Sequence, residues 1–153
     1  MIDFTFKPIY DENSKVLILG SFPSIISRKN DFYYSNPQNR FWKILEIIYN
    51  RKLQNMEEKI NLLIEQQIAL YDSIAKCDIK NSSDLSIKNI TATDIGPILD
   101  NSKVEKILCN GRKSYDVVVK KMNKKAILMP STSSANARYS LDKLVEIRSK
   151  ELP

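Results

Sequence analysis

Three short runs along the chain are almost wholly apolar. Val16-Leu17-Ile18-Leu19 is closed by Gly20, Lys106-Ile107-Leu108-Cys109 runs into Asn110-Gly111, and Ala126-Ile127-Leu128-Met129 is closed by Pro130. A strand buried on both faces gives such a run, because neither row of its side chains meets water. Between these runs the apolar positions fall at helical spacing. After Asn36-Pro37, the residues Phe41, Leu45 and Ile48 recur on one face, which predicts a helix with proline at its first position. A second helix is predicted from Met56 to Ile68, with Ile60, Leu63, Ile64 and Ile68 on its apolar side. Shorter helices are predicted over Thr93 to Leu99, Ser114 to Met122 and Ser140 to about Lys150, the last turning Leu141, Leu144 and Val145 inward. The stretch from Cys77 to Ile90 has no clear period and fits either a loop or a further strand. Helices alternating with fully buried strands predict a three-layer α/β/α domain around a central, mainly parallel sheet.

At 153 residues and 42% hydrophobic content, the chain suits a single domain over residues 1–153 with one core. No apolar run is long enough to span a bilayer and no targeting signal is evident, so a soluble, cytoplasmic protein is predicted, with a monomer as the default. The two cysteines, Cys77 and Cys109, lie in or beside apolar stretches and read as buried thiols; two are too few for an iron-sulfur cluster or a zinc ribbon. Histidine is absent. That removes Ser-His-Asp and Cys-His catalysis together with histidine metal sites, so neither a metal nor a cofactor is predicted. Chemistry is left to amides, hydroxyls, carboxylates and backbone groups. The net charge of +6 suits a polyanion, since lysines and arginines displace the counterions of a phosphate backbone. With three glycines in the chain and no phosphate fingerprint after any strand, a nucleotide-binding domain is disfavoured.

In open parallel sheets, ligands bind beyond the carboxyl ends of the strands. The loops that follow the three predicted strands are polar and small: Gly20-Ser21-Phe22-Pro23-Ser24, Asn110-Gly111 and Pro130-Ser131-Thr132-Ser133-Ser134-Ala135-Asn136-Ala137. Each alone fits turn chemistry. Placed together on one rim, they read as a site.

The segments Leu17-Ile18-Leu19-Gly20-Ser21-Phe22-Pro23-Ser24 and Phe32-Tyr33-Tyr34-Ser35-Asn36-Pro37-Gln38-Asn39-Arg40-Phe41-Trp42 resemble the hypoxanthine-DNA glycosylases of the uracil-DNA glycosylase superfamily. The block Met129 to Arg138 is similar to that family's second motif, and the Asn-Pro-x-Asn-Arg-Phe-Trp segment also resembles the mismatch-specific uracil/thymine glycosylases. The resemblance runs from about Phe6 to Arg148. It implies a uracil-DNA glycosylase-like fold and Asn39 as the catalytic residue, with Tyr34 as the ring on which a flipped base stacks. Two departures stand out. Ser134 occupies a usual proline position, and Phe22 stands where many superfamily members carry an Asp or Asn that positions water.

A base inside a duplex is out of reach and must be extruded, which costs least where pairing is already poor. The Asn39 amide is suited to holding a water against the anomeric carbon or to gripping the base, but not to strong general-base work. The predicted mechanism is therefore a dissociative cleavage with fixed dipoles around the departing base. Hypoxanthine and uracil both present a carbonyl beside a ring N–H, whereas adenine and cytosine present an amino group beside a bare ring nitrogen. Groups to read that edge are available at Phe22, Ser24, Ser131 and Ser133. The loop with Asn136, Ala137 and Arg138 is predicted to enter the minor groove beside the vacated position. These features predict a monofunctional enzyme that removes hypoxanthine first and uracil second from DNA containing deaminated bases, leaving an abasic site. The alternative is a catalytically silent module of the same fold that binds the lesion without cutting.

Overall fold

The computed structural model describes residues 1–153. Four strands, β2 (Val16–Gly20), β3 (Ile68–Asp72), β6 (Lys106–Asn110) and β7 (Ile127–Met129), form a sheet in the order β3-β2-β6-β7, and every neighbouring pair is parallel. Alternate residues of β2 divide the core. Val16 and Ile18 pack with Phe41, Leu45, Leu62 and Leu63, whereas Leu17 and Leu19 pack with Ile95, Ile98 and Val118. The first group brings α2 (Phe41–Tyr49) and α3 (Met56–Glu65) to one face, with α6 (Leu141–Ser149) packed beside α2. The second brings α4 (Gly96–Asp100) and α5 (Arg112–Asp116) with its π-helical continuation Val117–Lys121 to the other. The predicted three-layer α/β/α arrangement is therefore observed. Each of the fully buried leucines contributes about 1.5–3 kcal/mol by leaving water.

The predicted helix from Met56 to Ile68 is shorter than its pattern. It stops at Glu65, Gln67 takes a left-handed φ of 61°, and Ile68 opens β3. The physical reason is the sheet: Ile68, Ala69 and Leu70 are each fully buried beside β2, and an isolated helical period cannot register that pairing. The helix predicted to begin at Pro37 begins instead at Phe41, because Asn36 and Asn39 turn the chain first. The Asn36 side chain accepts from the Gln38 N–H, and its carbonyl accepts from the Asn39 N–H. The helix predicted over Thr93 to Leu99 runs from Gly96 to Asp100, since the Thr93 hydroxyl is occupied by the Asp72 carbonyl. The last predicted helix agrees, with Ser140 capping it through the Lys143 N–H.

A second, antiparallel sheet joins β1 (Ile2–Asp3), β4 (Ile74–Asp78) and β5 (Lys88–Ala92); the end of β4 and the start of β5 fall in the stretch Cys77 to Ile90, which has no clear period. Its hairpin carries the loop 79–87, including a 3₁₀ turn at Asp84–Ser86. The helix α1 (Ile25–Asn30), which the pattern did not announce, is capped by Ser24 and ends at Asp31 with φ 55°.

Candidate active site

The carboxyl ends of β2, β3, β6 and β7 open into one cavity of about 680 Å³. Of the residues nominated from sequence, Phe22, Ser24, Tyr34, Asn39, Ser131, Ser133 and Asn136 line it. Ala137 and Arg138 do not; both are exposed on the loop leading to α6. Gly111 makes the crossing from β6 to α5 with φ 99°, a conformation that disfavours any side chain, and its N–H donates to the Met129 carbonyl. This ties the β6 loop to the start of the Pro130–Ala137 loop.

Asn39 sits just before α2, and its side chain is held in one orientation. Its Oδ1 accepts from the Phe41 N–H at 3.0 Å and from the Thr132 hydroxyl at 2.8 Å. Both bonds fall on the oxygen, so the Nδ2 donor is left for the cavity. Thr132, fully buried, receives the Asn110 Nδ2 at 3.0 Å, and the Asn110 Oδ1 accepts from the Thr132 N–H and from Arg148 Nη2 at 2.8 Å. Arg148, on α6, is itself buried and also donates to the Pro130 carbonyl at 2.7 Å. Burial lowers its pKa to about 10, with Tyr34 opposing and Arg40 adding to the shift. A continuous polar chain thus runs from α6 through the ends of β6 and β7 to Asn39.

Tyr34 adopts a left-handed φ of 50° and stacks on Phe41 with centroids 4.1 Å apart. Its hydroxyl accepts from the Asn110 Nδ2 at 3.1 Å. Three neighbours therefore fix the ring: the strained backbone, the stacked phenyl and the asparagine. The Phe22 ring is buried against Ile74, Cys77, Ile87 and Val117, with the Arg28 guanidinium 5.4 Å from its centroid. Ser24 receives the Ser27 N–H and donates to the Ser27 hydroxyl, so its side chain is engaged at the start of α1.

The loop after β7 is clamped by a residue that sequence reasoning passed over. Arg40 donates to the carbonyls of Thr132, Ser133, Asn136 and Tyr139 at 3.3, 2.8, 3.1 and 2.6 Å. Within the loop, Asn136 Nδ2 donates to the Ser131 carbonyl, and the Ser131 and Ser133 hydroxyls accept from the Ser133 and Ala135 N–H groups. The arginine lies inside the quoted Asn-Pro-x-Asn-Arg-Phe-Trp segment, which was the available signal.

Two carboxyl groups at the cavity, Asp72 and Asp84, were not among the site residues nominated from sequence. Asp72, at the end of β3, is 5% exposed, and burial followed by the nearby Asp84 pushes its pKa up to about 8. Its Oδ2 is buried without a hydrogen-bond partner. Asp84 receives the Ser21 hydroxyl on both oxygens at 2.9 and 3.0 Å; burial raises its pKa, and Ser21 and Lys113 oppose the rise. Gly20 leaves room for this arrangement, since a Cβ there would lie 2.5 Å from Asp72 Oδ1 and 2.7 Å from the Tyr34 hydroxyl. The signal was an apolar run, Ile68 to Tyr71, closed by a polar residue as the β6 run is by Asn110.

Comparisons with known proteins fit this geometry. The family model described as the uracil DNA glycosylase superfamily matches residues 7–150. A protein of Methanosarcina acetivorans named hypoxanthine DNA glycosylase is 33% identical over 145 residues, covering 92% of each chain. One of the same name from Methanosarcina barkeri is 31% identical over 138 residues, covering 87% of each. A solution NMR structure of a candidate uracil DNA glycosylase from M. acetivorans superposes with a TM-score of 0.79 at 33% identity, covering 95% of this chain and 94% of that one. On a match spanning nearly the whole sequence, the chain belongs to the uracil DNA glycosylase superfamily.

Proposed function

We propose that the protein is a monofunctional DNA glycosylase that extrudes deaminated bases, hypoxanthine first and uracil second, and hydrolyses the N-glycosidic bond to leave an abasic site. The observation that carries this reading is the state of Asn39. Its oxygen is committed to Thr132 and Phe41, and its Nδ2 donor is directed by that commitment to a cavity of about 680 Å³, large enough to admit a nucleobase. The names of the two Methanosarcina relatives support hypoxanthine as the first substrate. Uracil follows because it presents the same pairing edge, a carbonyl beside a ring N–H.

In this mechanism the extruded base lies against the face of Tyr34 that Phe41 leaves uncovered, a contact worth roughly 1–3 kcal/mol. The C1′–N bond breaks with its electron pair leaving on the base, and the sugar acquires oxocarbenium character. Asn39 Nδ2 donates to the oxygen of a water held at C1′; the cation captures that water, so no strong base is required at this position. Ser131, Ser133 and the backbone from Phe22 to Ser24 contribute further polar contacts to the base. Asn136, Ala137 and Arg138 face the duplex, with Arg138 on the phosphate backbone.

The test is base release from oligonucleotides carrying inosine, uracil or xanthine, with a normal adenine control, in EDTA. Release of hypoxanthine by the wild type and its loss in Asn39→Ala are expected. Full activity in the alanine variant would refute the role of Asn39. A gel shift on the lesion without release from any of the three would identify a silent binding module instead.

A further inference from the structure

Among the polar side chains at the strand ends, most are already committed. Asn110 uses Nδ2 on Tyr34 and Thr132 and Oδ1 on Thr132 and Arg148. Thr132 is closed between Asn110 and Asn39. Asp84 is met by Ser21 on both oxygens. Asp72 differs from all of these. Its Oδ2 is sealed without a donor, so nothing in the protein compensates a negative charge there. Its Oδ1 stands over Gly20 beside the Tyr34 hydroxyl, in the space a side chain at position 20 would fill.

We propose that Asp72, as a neutral carboxylic acid, is the hydrogen-bond donor that holds the extruded base by its carbonyl and stabilises the negative charge the base acquires as the glycosidic bond breaks. The proposal rests on the glycosylase reading above and deepens it. A carboxyl protonated on Oδ1 presents its O–H in the space over Gly20, the complement of the carbonyl of hypoxanthine or uracil. The bond strengthens as charge develops on the base, so the contact is worth more in the transition state than in the ground state. Asp72 keeps its proton throughout. The electron pair of the C1′–N bond goes to the base, the water adds to C1′ through its oxygen, and the proton that water releases ends on the base. An ionised Asp72 would instead repel the departing anion.

The surroundings favour the neutral form. Burial is the largest influence and the Asp84 charge, from the 3₁₀ turn, adds to it. Tyr33 and Tyr34, from the loop before α2, are themselves raised by burial and then by Asp72. Tyr71, on the same strand, is raised by burial, with Asp72 and Asp94 adding and Thr5 opposing. Two cations act on its neighbours: Lys113, on α5, on Asp84, and Arg148, on α6, on Tyr34. A buried acid kept protonated at neutral pH in order to donate is a recognised catalytic arrangement.

The test is single-turnover release of hypoxanthine from an inosine oligonucleotide between pH 5.5 and 9.5, for the wild type, Asp72→Asn and Asp72→Ala. The wild-type rate should fall about ten-fold per pH unit above a break near pH 8. The asparagine variant keeps a donor that does not titrate, so it should stay within about ten-fold of wild type at pH 7 and lose that break; the alanine variant should fall about a hundred-fold or more at every pH. Wild-type rates in Asp72→Ala, or an identical alkaline break in wild type and Asp72→Asn, overturn the proposal, the second because the break then belongs to the ring N–H of inosine. No release by wild type from inosine, uracil or xanthine removes the glycosylase reading and the proposal with it. A carbon-13 NMR titration of the Asp72 carboxyl in the wild-type protein checks the same claim without a variant. Titration in the ordinary carboxylate range overturns it.

Discussion

The hydroxyl of Thr132 donates to Asn39 Oδ1 at 2.8 Å, joining the end of β7 to the start of α2 across 93 residues of sequence. The bond decides which end of the amide faces the cavity. In Thr132→Val the hydroxyl is replaced by a methyl of similar shape, and the amide loses one of its two anchors. We expect single-turnover base release to fall about ten- to a hundred-fold, equivalent to about 1.4–2.7 kcal/mol, with DNA affinity little changed. Thr132→Ser should restore most of the rate. Rates in Thr132→Val equal to wild type would show that Asn39 needs no such anchor.

Arg40 spans four carbonyls of the loop that follows β7. Arg40→Ala leaves those acceptors to water or to no partner. We expect a loss of stability of about 2–4 kcal/mol and a clear drop in melting temperature, because hydrogen bonds to a charged donor contribute more than neutral ones. Arg40→Lys should recover only part of it, since an ammonium cannot reach the same acceptors in a planar fork. Thermal denaturation followed by circular dichroism checks both.

Arg138 is exposed on the segment between the cavity loop and α6. Arg138→Ala should weaken DNA binding similarly for damaged and undamaged duplexes and lower the slope of log affinity against log salt by about one. Release at saturating enzyme should be nearly unchanged. A change confined to the damaged duplex would instead place this guanidinium on the lesion.

Stability should depend on pH through Asp72. Its pKa is raised in the folded chain to about 8, above the ordinary carboxylate value of about 4 in the unfolded chain. Between those limits the folded protein binds the extra proton, so stability is greatest below about pH 4 as far as this group is concerned and is lost as pH rises through about 8. Asp84 is shifted in the same direction and adds to the slope. Denaturant unfolding at pH 5.5, 7 and 9 should show Asp72→Asn gaining on wild type with each step. Parallel curves would mean that Asp72 ionises normally in the fold.

The hydrophobic pattern was sufficient to announce β2, β6 and β7, because a strand buried on both faces leaves a continuous apolar run whatever its neighbours are. Small polar loops after those runs located the rim, and the block around Asn39 singled out the residue that the structure places at the cavity with its oxygen committed. Strand β3 escaped, because Ile68 also fits the helical period of the segment before it, although α3 stops at Glu65, and periodicity cannot separate the two uses; Asp72 was lost with it. The roles of Thr132, Arg40 and Arg148 were beyond reach for another reason. Each acts on partners 18 to 99 residues away, brought together only by the order of strands in the sheet and the return of α6 along α2. A single chain carries the pattern of what is buried, set locally by contact with water. Which buried polar groups face one another follows from packing, and packing is settled by the whole fold.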